Sequence, residues 1–265
     1  MLKDITIGQY FPGNSVIHKL DPRIKILAVI LYIISIFMIN KVIVYLPILL
    51  LILLILKITK IPIKFVLNGL KPLYFIIILT FVINVFMTQG EVLYEFWIFH
   101  ITKEGLKIAV FMALRLVFLV LGTSLLTLTT SPISLTDGLE SLMTPLSKLG
   151  FPSHQLAMMM TIALRFIPTL FEEADKIIKS QTARGADFES GNILKRAKSL
   201  VPLLVPLFIN AFRRADELAT AMEARCYRGG EGRTRLNELK YKKRDFIGMI
   251  IIIIFLSFIV GSRYI

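Results

Sequence analysis

The run LKIAVFMALRLVFLVLGTSLLTL, residues 106–128, is almost wholly apolar and contains Lys107 and Arg115 as its only charged residues. About 20 predominantly apolar residues are enough for a helix to cross the hydrocarbon core of a bilayer. Four further apolar runs occupy residues 24–39, 42–56, 73–87 and 246–261. The sequence therefore predicts an all-α integral membrane protein with about five transmembrane helices.

The first two runs are separated by only two polar residues, Asn40 and Lys41. The simplest interpretation is a tight helical hairpin, and the alternative is one long bent helix. In front of the first run, Asp21 and Pro22 are typical of a helix N-cap followed by proline at the first helical position.

The net charge of +13 is associated with the apolar runs. In a soluble protein this charge would suggest nucleic acid, but basic residues that flank apolar runs set membrane orientation. Four basic residues precede the core of the first run and four surround the loop after the second, whereas residues 88–104 hold three acidic residues against Lys103 alone. We therefore expect a cytoplasmic N-terminus and an external loop at 88–104, whose aromatic residues suit a membrane interface.

The segment after the fourth run holds most of the polar residues of the chain. Residues 130–245 contain 18 of the 31 basic residues against 13 acidic ones, so this segment is expected in the cytoplasm and the C-terminus outside. The predicted division is 1–129 with four membrane spans, 130–244 as a cytoplasmic helical region, and 245–265 as the last span. Within the helical region we expect an interfacial helix at 135–149, a long helix at 153–182 that Pro168 can kink, and a third helix over about 194–227.

The long helices contain an internal repeat. A shift of 41 positions places Ala183 and Arg184 over Ala224 and Arg225, and three more identities lie upstream: Phe171, Ala174 and Asp175 match Phe212, Ala215 and Asp216. Each copy is an apolar half-helix, a charged half-helix and an Ala-Arg end. An arginine at a helix C-terminus can simply complement the helix dipole. A duplicated arginine end is better explained by docking to two equivalent sites on a two-fold partner.

These motifs resemble those of the transmembrane, or T, component of energy-coupling factor (ECF) transporters, which are ATP-driven importers of prokaryotes. The resemblance covers nearly the whole chain and is carried by Ile17-His18-Lys19-Leu20-Asp21-Pro22-Arg23, by Arg165-Phe166-Ile167-Pro168, and above all by Ala183-Arg184-Gly185 and Ala224-Arg225-Cys226. In the second motif Cys226 replaces the usual glycine, which puts the tight exit from the helix in doubt.

The resemblance implies a multi-pass protein of the prokaryotic cell membrane with an L-shaped arrangement of spans and cytoplasmic coupling helices. It implies two ATP-binding partner subunits, identical or different, and one or more substrate-binding S components that carry a vitamin or another micronutrient. Arg184 and Arg225, with Ala183, Gly185, Ala224 and Cys226, are then the residues that contact the ATPases. ATP and magnesium are expected on those partners, and no cofactor is expected in this chain.

Four other residues are candidates for a contact with the S component. Arg115 lies inside a span, where a charge is costly, and it either contacts backbone carbonyl groups, reaches the interface, or grips the S component. Met158, Met159 and Met160 form an adaptable apolar group that is either simple core or a surface that repacks against different partners.

Several functional classes lack support in the sequence. It has no Gly-x-x-x-x-Gly-Lys-Ser/Thr loop, so we expect no ATP hydrolysis by this chain, and it shows no catalytic residue set. A single cysteine and three scattered histidines give no metal-ligand spacing. Two alternatives remain: a conventional ABC importer permease that lines the substrate path itself, and a membrane-bound regulatory or nucleic-acid-associated protein. The mixed charge of residues 130–245 makes the nucleic-acid alternative weak, and we expect no nucleic-acid partner.

Overall fold

The computed structural model describes residues 10–96, 99–186, 188, 192, 194, 198–229 and 238–261. Its helices are α1 (Pro22–Met38), α2 (Tyr45–Thr59), α3 (Ile63–Asn68), α4 (Tyr74–Met87), α5 (Lys103–Thr129), α6 (Pro132–Met143), α7 (Ser153–Ala183), α8 (Val201–Ala224) and α9 (Lys243–Gly261). Three short 3₁₀ segments lie at Val42–Val44, Lys71–Leu73 and Thr144–Leu149. The predicted all-α membrane class is confirmed.

The chain forms two compact units. Among the described residues, the membrane unit comprises those of 10–142 and 238–261, and the two-helix unit, which contains α7 and α8, comprises those of 143–229. The last helix, α9, thus packs with the N-terminal helices, mainly on α1. The functional division at residues 129 and 244 stays a prediction.

Helix α5 is the centre of the membrane unit, because α1, α2, α3 and α4 all pack against it. Ile36 and Ile48 are fully buried in the core, and the Tyr45 ring stacks on Phe118 of α5 with 5.2 Å between ring centroids. Gly122 permits a close approach of α1, since a Cβ atom there would overlap the Tyr32 ring. The close contact of α1 with α5 at this point therefore depends on a small residue that faces a large one.

Three segments of the described chain are long and apolar enough to cross a membrane: Val42–Thr59, Ile63–Met87 and Lys103–Thr129. The first and last predicted spans correspond to α1, with 17 residues, and α9, with 19. Five spans therefore stay a prediction. Only 6% of the residues in the most apolar window of Ile63–Met87 are fully buried, so most of these residues keep some surface for lipid or another protein.

The chain breaks its helical structure between the first two runs. Helix α1 ends at Met38, Ile39 is extended with ψ 127°, and the chain resumes as a 3₁₀ turn at Val42. This excludes one long bent helix. In a simple hairpin, α1 and α2 would pack mainly on each other. In the structure, both helices pack more on α5 than on each other.

A short hairpin lies in the expected external loop. Strands β1 (Val92–Phe96) and β2 (Phe99–Thr102) are antiparallel, with Glu95 opposite His100. The Thr102 side chain then caps α5 by accepting a hydrogen bond from Gly105 N–H at 3.0 Å. This hairpin is the one β element of the described residues, and its aromatic residues had predicted only an interfacial loop.

Acidic caps join the first and last helices. Asp21 caps α1 by accepting from Arg23 N–H at 2.9 Å, as predicted, and pairs with the Arg23 guanidinium at 2.9 Å. Asp245 in α9 accepts from the backbone N–H groups of Asp21 at 2.8 Å and Lys242 at 2.7 Å. Arg23 also lies over the Tyr241 ring, 4.0 Å from its centroid. Polar contacts at this one end therefore fix α9 against α1.

Candidate functional site

The two-helix unit is an antiparallel pair. Helix α7 runs for 31 residues and continues through Pro168, and its end at Ala183 lies one residue from the predicted one. Phe166 of α7 lines the same cavities as Leu218 of α8, and Glu173 of α7 contacts Arg214 of α8. From one neighbouring pair to the next, the residue number rises along α7 and falls along α8, as expected for antiparallel helices. Part of the segment before α8, which was predicted to be helical from 194, lies outside the described residues.

The first Ala-Arg end is a Schellman motif. Arg184 is the C-cap residue, and Gly185 follows with φ 87°. The Gly185 N–H donates to Thr182 O at 2.9 Å, and the Ala186 N–H donates to Gln181 O at 3.0 Å. These two bonds satisfy carbonyl groups that the helix end leaves open and turn the chain sharply. Ala183 and Arg184 are both exposed at this turn.

The second end repeats this geometry with a different residue. Arg225 is the C-cap of α8, and Cys226 takes the left-handed conformation with φ 55°. The Cys226 N–H donates to Glu223 O at 2.8 Å, and the Tyr227 N–H donates to Met222 O at 3.0 Å. The exit that the Cys226 substitution put in doubt is therefore as tight as the first. Ala224, Arg225 and Cys226 are exposed.

The repeat and the helix pairing share one centre. In an antiparallel pair, the residue numbers of facing positions have a constant sum, which is about 384 for neighbours such as Phe166 and Leu218. Two facing positions that are also 41 apart, and therefore equivalent in the repeat, lie near residues 172 and 213. Arg184 and Arg225 each lie about 12 residues beyond this point, at opposite ends of the pair. At 1.5 Å per residue the two ends are about 36 Å apart. The unit therefore presents two equivalent arginine ends in a pseudo-two-fold arrangement.

An ion pair lies near the centre of the helix pair. Glu173 Oε1 accepts from Arg214 Nη2 at 3.2 Å and from Asn210 Nδ2 at 3.3 Å. Glu173 and Arg214 are repeat-equivalent positions, 41 apart in the sequence, so the two copies contact each other through residues of opposite charge. The pair is largely buried, with 21% and 34% of the side chains exposed.

A cavity of about 660 Å³ lies beside the second arginine end. Arg225 lines it together with Arg165 and Arg228, and its apolar wall includes Met158 and Met222. None of the described residues that line it is acidic, and three arginines share this one opening. Carboxylate groups are the natural complement of such a site.

The three methionines do not share one face. Met158 faces the cavity next to Arg225, whereas Met159 and Met160 are 53% and 39% exposed. Consecutive helical residues point about 100° apart, so this division follows from helix geometry. A contact with the S component through all three residues stays a prediction.

Arg115 lies at the turn between α1 and α2. Its Nη2 approaches Ile39 O at 3.5 Å, and its guanidinium lies 5.3 Å from the centroid of the Phe37 ring. Of the alternatives considered for Arg115, the contact with a backbone carbonyl is the one observed. A role in binding another subunit stays a prediction.

Arg165, Arg228 and the Glu173–Arg214 pair were not identified as site residues from the sequence. Arg165 did give a signal, because it interrupts an otherwise apolar run. The charge reversal at positions 173 and 214 was also visible in the repeat. Only the packing of α7 on α8 brings these residues beside each other and beside Arg225.

Comparison with known proteins gives one consistent family. Residues 13–236 match the family model described as cobalt transport protein, CbiQ. The chain is 57% identical to a protein of Clostridium kluyveri over 265 residues, covering 99% of this chain and 98% of that protein. It is 53% identical to a protein of Ruminiclostridium cellulolyticum (100% and 99% covered) and 46% identical to one of Bacillus subtilis (98% and 99% covered). All three relatives are named energy-coupling factor transporter transmembrane protein EcfT.

Proposed function

Because this chain belongs to the family of energy-coupling factor transporter transmembrane proteins, we propose that it couples ATP hydrolysis by two ATPase subunits to uptake of a micronutrient bound by an S component. It is the membrane scaffold of the transporter and carries out no chemistry itself. ATP and magnesium belong to the two partner subunits. The family also favours this role over that of a permease that lines the substrate path.

The observation that carries the proposal is the pair of arginine ends. Arg184 and Arg225 have the same backbone cap and lie at opposite ends of an antiparallel helix pair. A two-fold ATPase dimer offers two equivalent grooves, and two equivalent exposed arginines are the complement such a dimer needs. Arginine presents a rigid fork of five donors and is common among interface residues that dominate binding energy.

The apolar half of α8 supports the second part of the proposal. Large exposed side chains there recur at helical spacing and form one apolar face of the helix: Val201, Leu204, Val205, Phe208, Ile209 and Phe212. An apolar surface of this extent needs lipid or another protein to cover it. The charged end of α8 thus suits an ATPase, and its apolar half suits the membrane and the S component. Movement of one end is carried to the other by a continuous helix of 24 residues.

The test is co-purification of the transporter with variants of the two ends. Arg184→Glu and Arg225→Glu are each expected to weaken ATPase binding by about 2 kcal/mol, and the double variant to abolish it together with ATP-dependent uptake into vesicles. Lys176→Glu and Arg213→Glu are the matched controls, since each reverses an exposed charge on the same helices away from the caps. The proposal fails if the double variant inserts into the membrane and keeps both the ATPases and uptake.

A further inference from the structure

An apolar cleft lies among the helices of the membrane unit. It has a volume of about 440 Å³ and is lined by residues of α1, α2, α5 and α9. Its walls are hydrocarbon over most of their length, and include Ala28, Val29, Leu51, Ile55, Leu126 and Ile251. The volume lies in the range of small-molecule sites, about 300–1,000 Å³. The walls complement an acyl chain rather than a polar solute.

Two basic residues line this cleft, Lys25 of α1 and Arg244 in the first turn of α9. Lys25 is buried, and its ammonium group donates to His18 O at 3.1 Å, Thr129 O at 3.0 Å and Thr130 Oγ1 at 3.1 Å. All three of its protons are therefore engaged with neutral oxygen atoms. The positive charge of Lys25 has no carboxylate among these partners.

Arg244 has an unused donor. Its Nε–H group is buried and has no hydrogen-bond partner among the described residues. Buried donors are almost always paired in native proteins, so this group marks a place where a further acceptor fits.

The nearby carboxylates are already committed. Asp21 pairs with Arg23 at 2.9 Å, and Asp245 accepts from two backbone N–H groups at 2.8 and 2.7 Å. Among the groups that these contacts bring together, Arg23, Lys25 and Arg244 stand against Asp21 and Asp245, which leaves one positive charge without a carboxylate; the adjacent Lys242 and Lys243 are exposed. A single anionic group beside Arg244 would balance that charge and satisfy its Nε–H.

We infer that the cleft binds one anionic phospholipid, with an acyl chain between the helices and a phosphate oxygen at the Arg244 guanidinium. The apolar walls and the cationic end together select this ligand, because free phosphate would fill only the polar end. The basic-residue counts predict that this end is cytoplasmic, and basic pockets between transmembrane helices on that side bind anionic head groups. The inference does not depend on the proposed coupling to ATPases.

The experiment uses the full-length chain, delipidated in a neutral detergent, with thermal unfolding as the readout. Phosphatidylglycerol should raise the midpoint of unfolding more than phosphatidylcholine with the same acyl chains, and inorganic phosphate should have no comparable effect. Equal shifts with both lipids would overturn the inference. So would a shift with inorganic phosphate equal to that with phosphatidylglycerol, because it would indicate a site for a free anion.

Two variants locate the effect. Arg244→Gln should weaken the response to phosphatidylglycerol about tenfold in lipid concentration, the order expected for loss of one charge-assisted hydrogen bond. Lys243→Gln is the matched control, since it removes one positive charge from the adjacent, exposed position and should respond as the wild type does. Ala28→Phe fills the cleft without changing charge and should also abolish the preference for phosphatidylglycerol. A wild-type response from either Arg244→Gln or Ala28→Phe contradicts the inference.

Discussion

Gly185 and Cys226 occupy the same position at the ends of two helices, and the comparison isolates the effect of a side chain on a left-handed backbone. Both residues have positive φ, 87° and 55°, and both donate the same hydrogen bond of the cap. Glycine adopts this conformation without steric cost, whereas other residues pay roughly 1–2 kcal/mol. The second end therefore keeps the geometry at the expense of some stability.

Cys226→Gly should stabilise the protein by up to about 1 kcal/mol. Glycine removes the steric cost of the left-handed backbone in the folded state. It also raises the conformational entropy of the unfolded chain, which offsets part of this gain. The midpoint of thermal unfolding measures the change. Gly185→Cys is the mirror control and should destabilise by a similar amount, since an added Cβ there would meet no atom within 4 Å and the effect is confined to the backbone. Unchanged midpoints in both variants would contradict the argument.

His18 gives the N-terminal segment a dependence on pH. Its Nε2 lies 3.1 Å from Phe11 O and its Nδ1 lies 2.8 Å from Ser15 Oγ, an arrangement that a neutral imidazole satisfies. Partial burial lowers the pKa of His18 from its ordinary value of 6.5, the nearby positive charge of Lys25 lowers it further, and the hydrogen bond to Phe11 opposes the change. The folded protein therefore takes up a proton less readily than the unfolded chain.

The lowered pKa of His18 makes the folded protein less stable in acid. The contribution of neutral His18 to the free energy of unfolding is fully present above the unfolded pKa near 6.5, and it is lost as the pH falls through the lower pKa of the folded state. Thermal unfolding between pH 7.5 and 5 should show this loss, and His18→Gln should reduce it, since glutamine does not titrate. If the variant loses as much stability as the wild type over this range, His18 is not responsible.

At the scale of elements, we expect the Glu173–Arg214 pair to help set the register of α7 against α8. Because the residues are repeat-equivalent, a bond between them holds the two copies in register about their common centre. Reversal of the pair is the direct test. Glu173→Arg and Arg214→Glu alone should each destabilise, and the double reversal should recover about 1 kcal/mol of coupling between the two positions.

The exposed pair Asp175–Lys179, 2.6 Å apart on α7, is the control for this experiment. Its side chains are 46% and 73% exposed, so charge reversal there should give little coupling. Uptake measured on the same variants distinguishes an effect on helix register from a general effect of charge. Uptake should fall in the single reversals at Glu173–Arg214 and recover in the double reversal, whereas reversals at Asp175–Lys179 should leave it unchanged. Equal coupling energies in the two cycles would contradict the assigned role.

The ends of elements with a chemical signal could be predicted from the sequence, and long-range neighbours could not. Asp21 and Pro22 mark the start of α1, and the Ala-Arg-Gly motif marks the end of α7, because capping is a local property of a few residues. The hairpin at 92–102 was missed, since aromatic residues suit both a membrane interface and a strand. Proximity of Arg165 to Arg225 was also missed, because it arises from antiparallel packing over a separation of 60 positions in the chain.

At the scale of the whole molecule, membrane orientation is accessible through the single native cysteine. Cys226 is exposed, and the predicted orientation places it in the cytoplasm. A membrane-impermeant maleimide should therefore label it only after cells are permeabilised. In a Cys226→Ser background, Gln89→Cys in the exposed external loop should be labelled on intact cells. Labelling of Cys226 from outside would reverse the orientation derived from basic residues.

The matched caps at Arg184 and Arg225 also bear on the ancestry of the chain. A single gene that duplicates one helix with its arginine end acquires a surface with the symmetry of a dimer, without itself forming one. If both ends bind the ATPases as proposed, one kind of binding groove, repeated by a two-fold axis, is enough for both. Glycine at one end and cysteine at the other make the same backbone turn, so the shape of the end does not require one particular residue at this position.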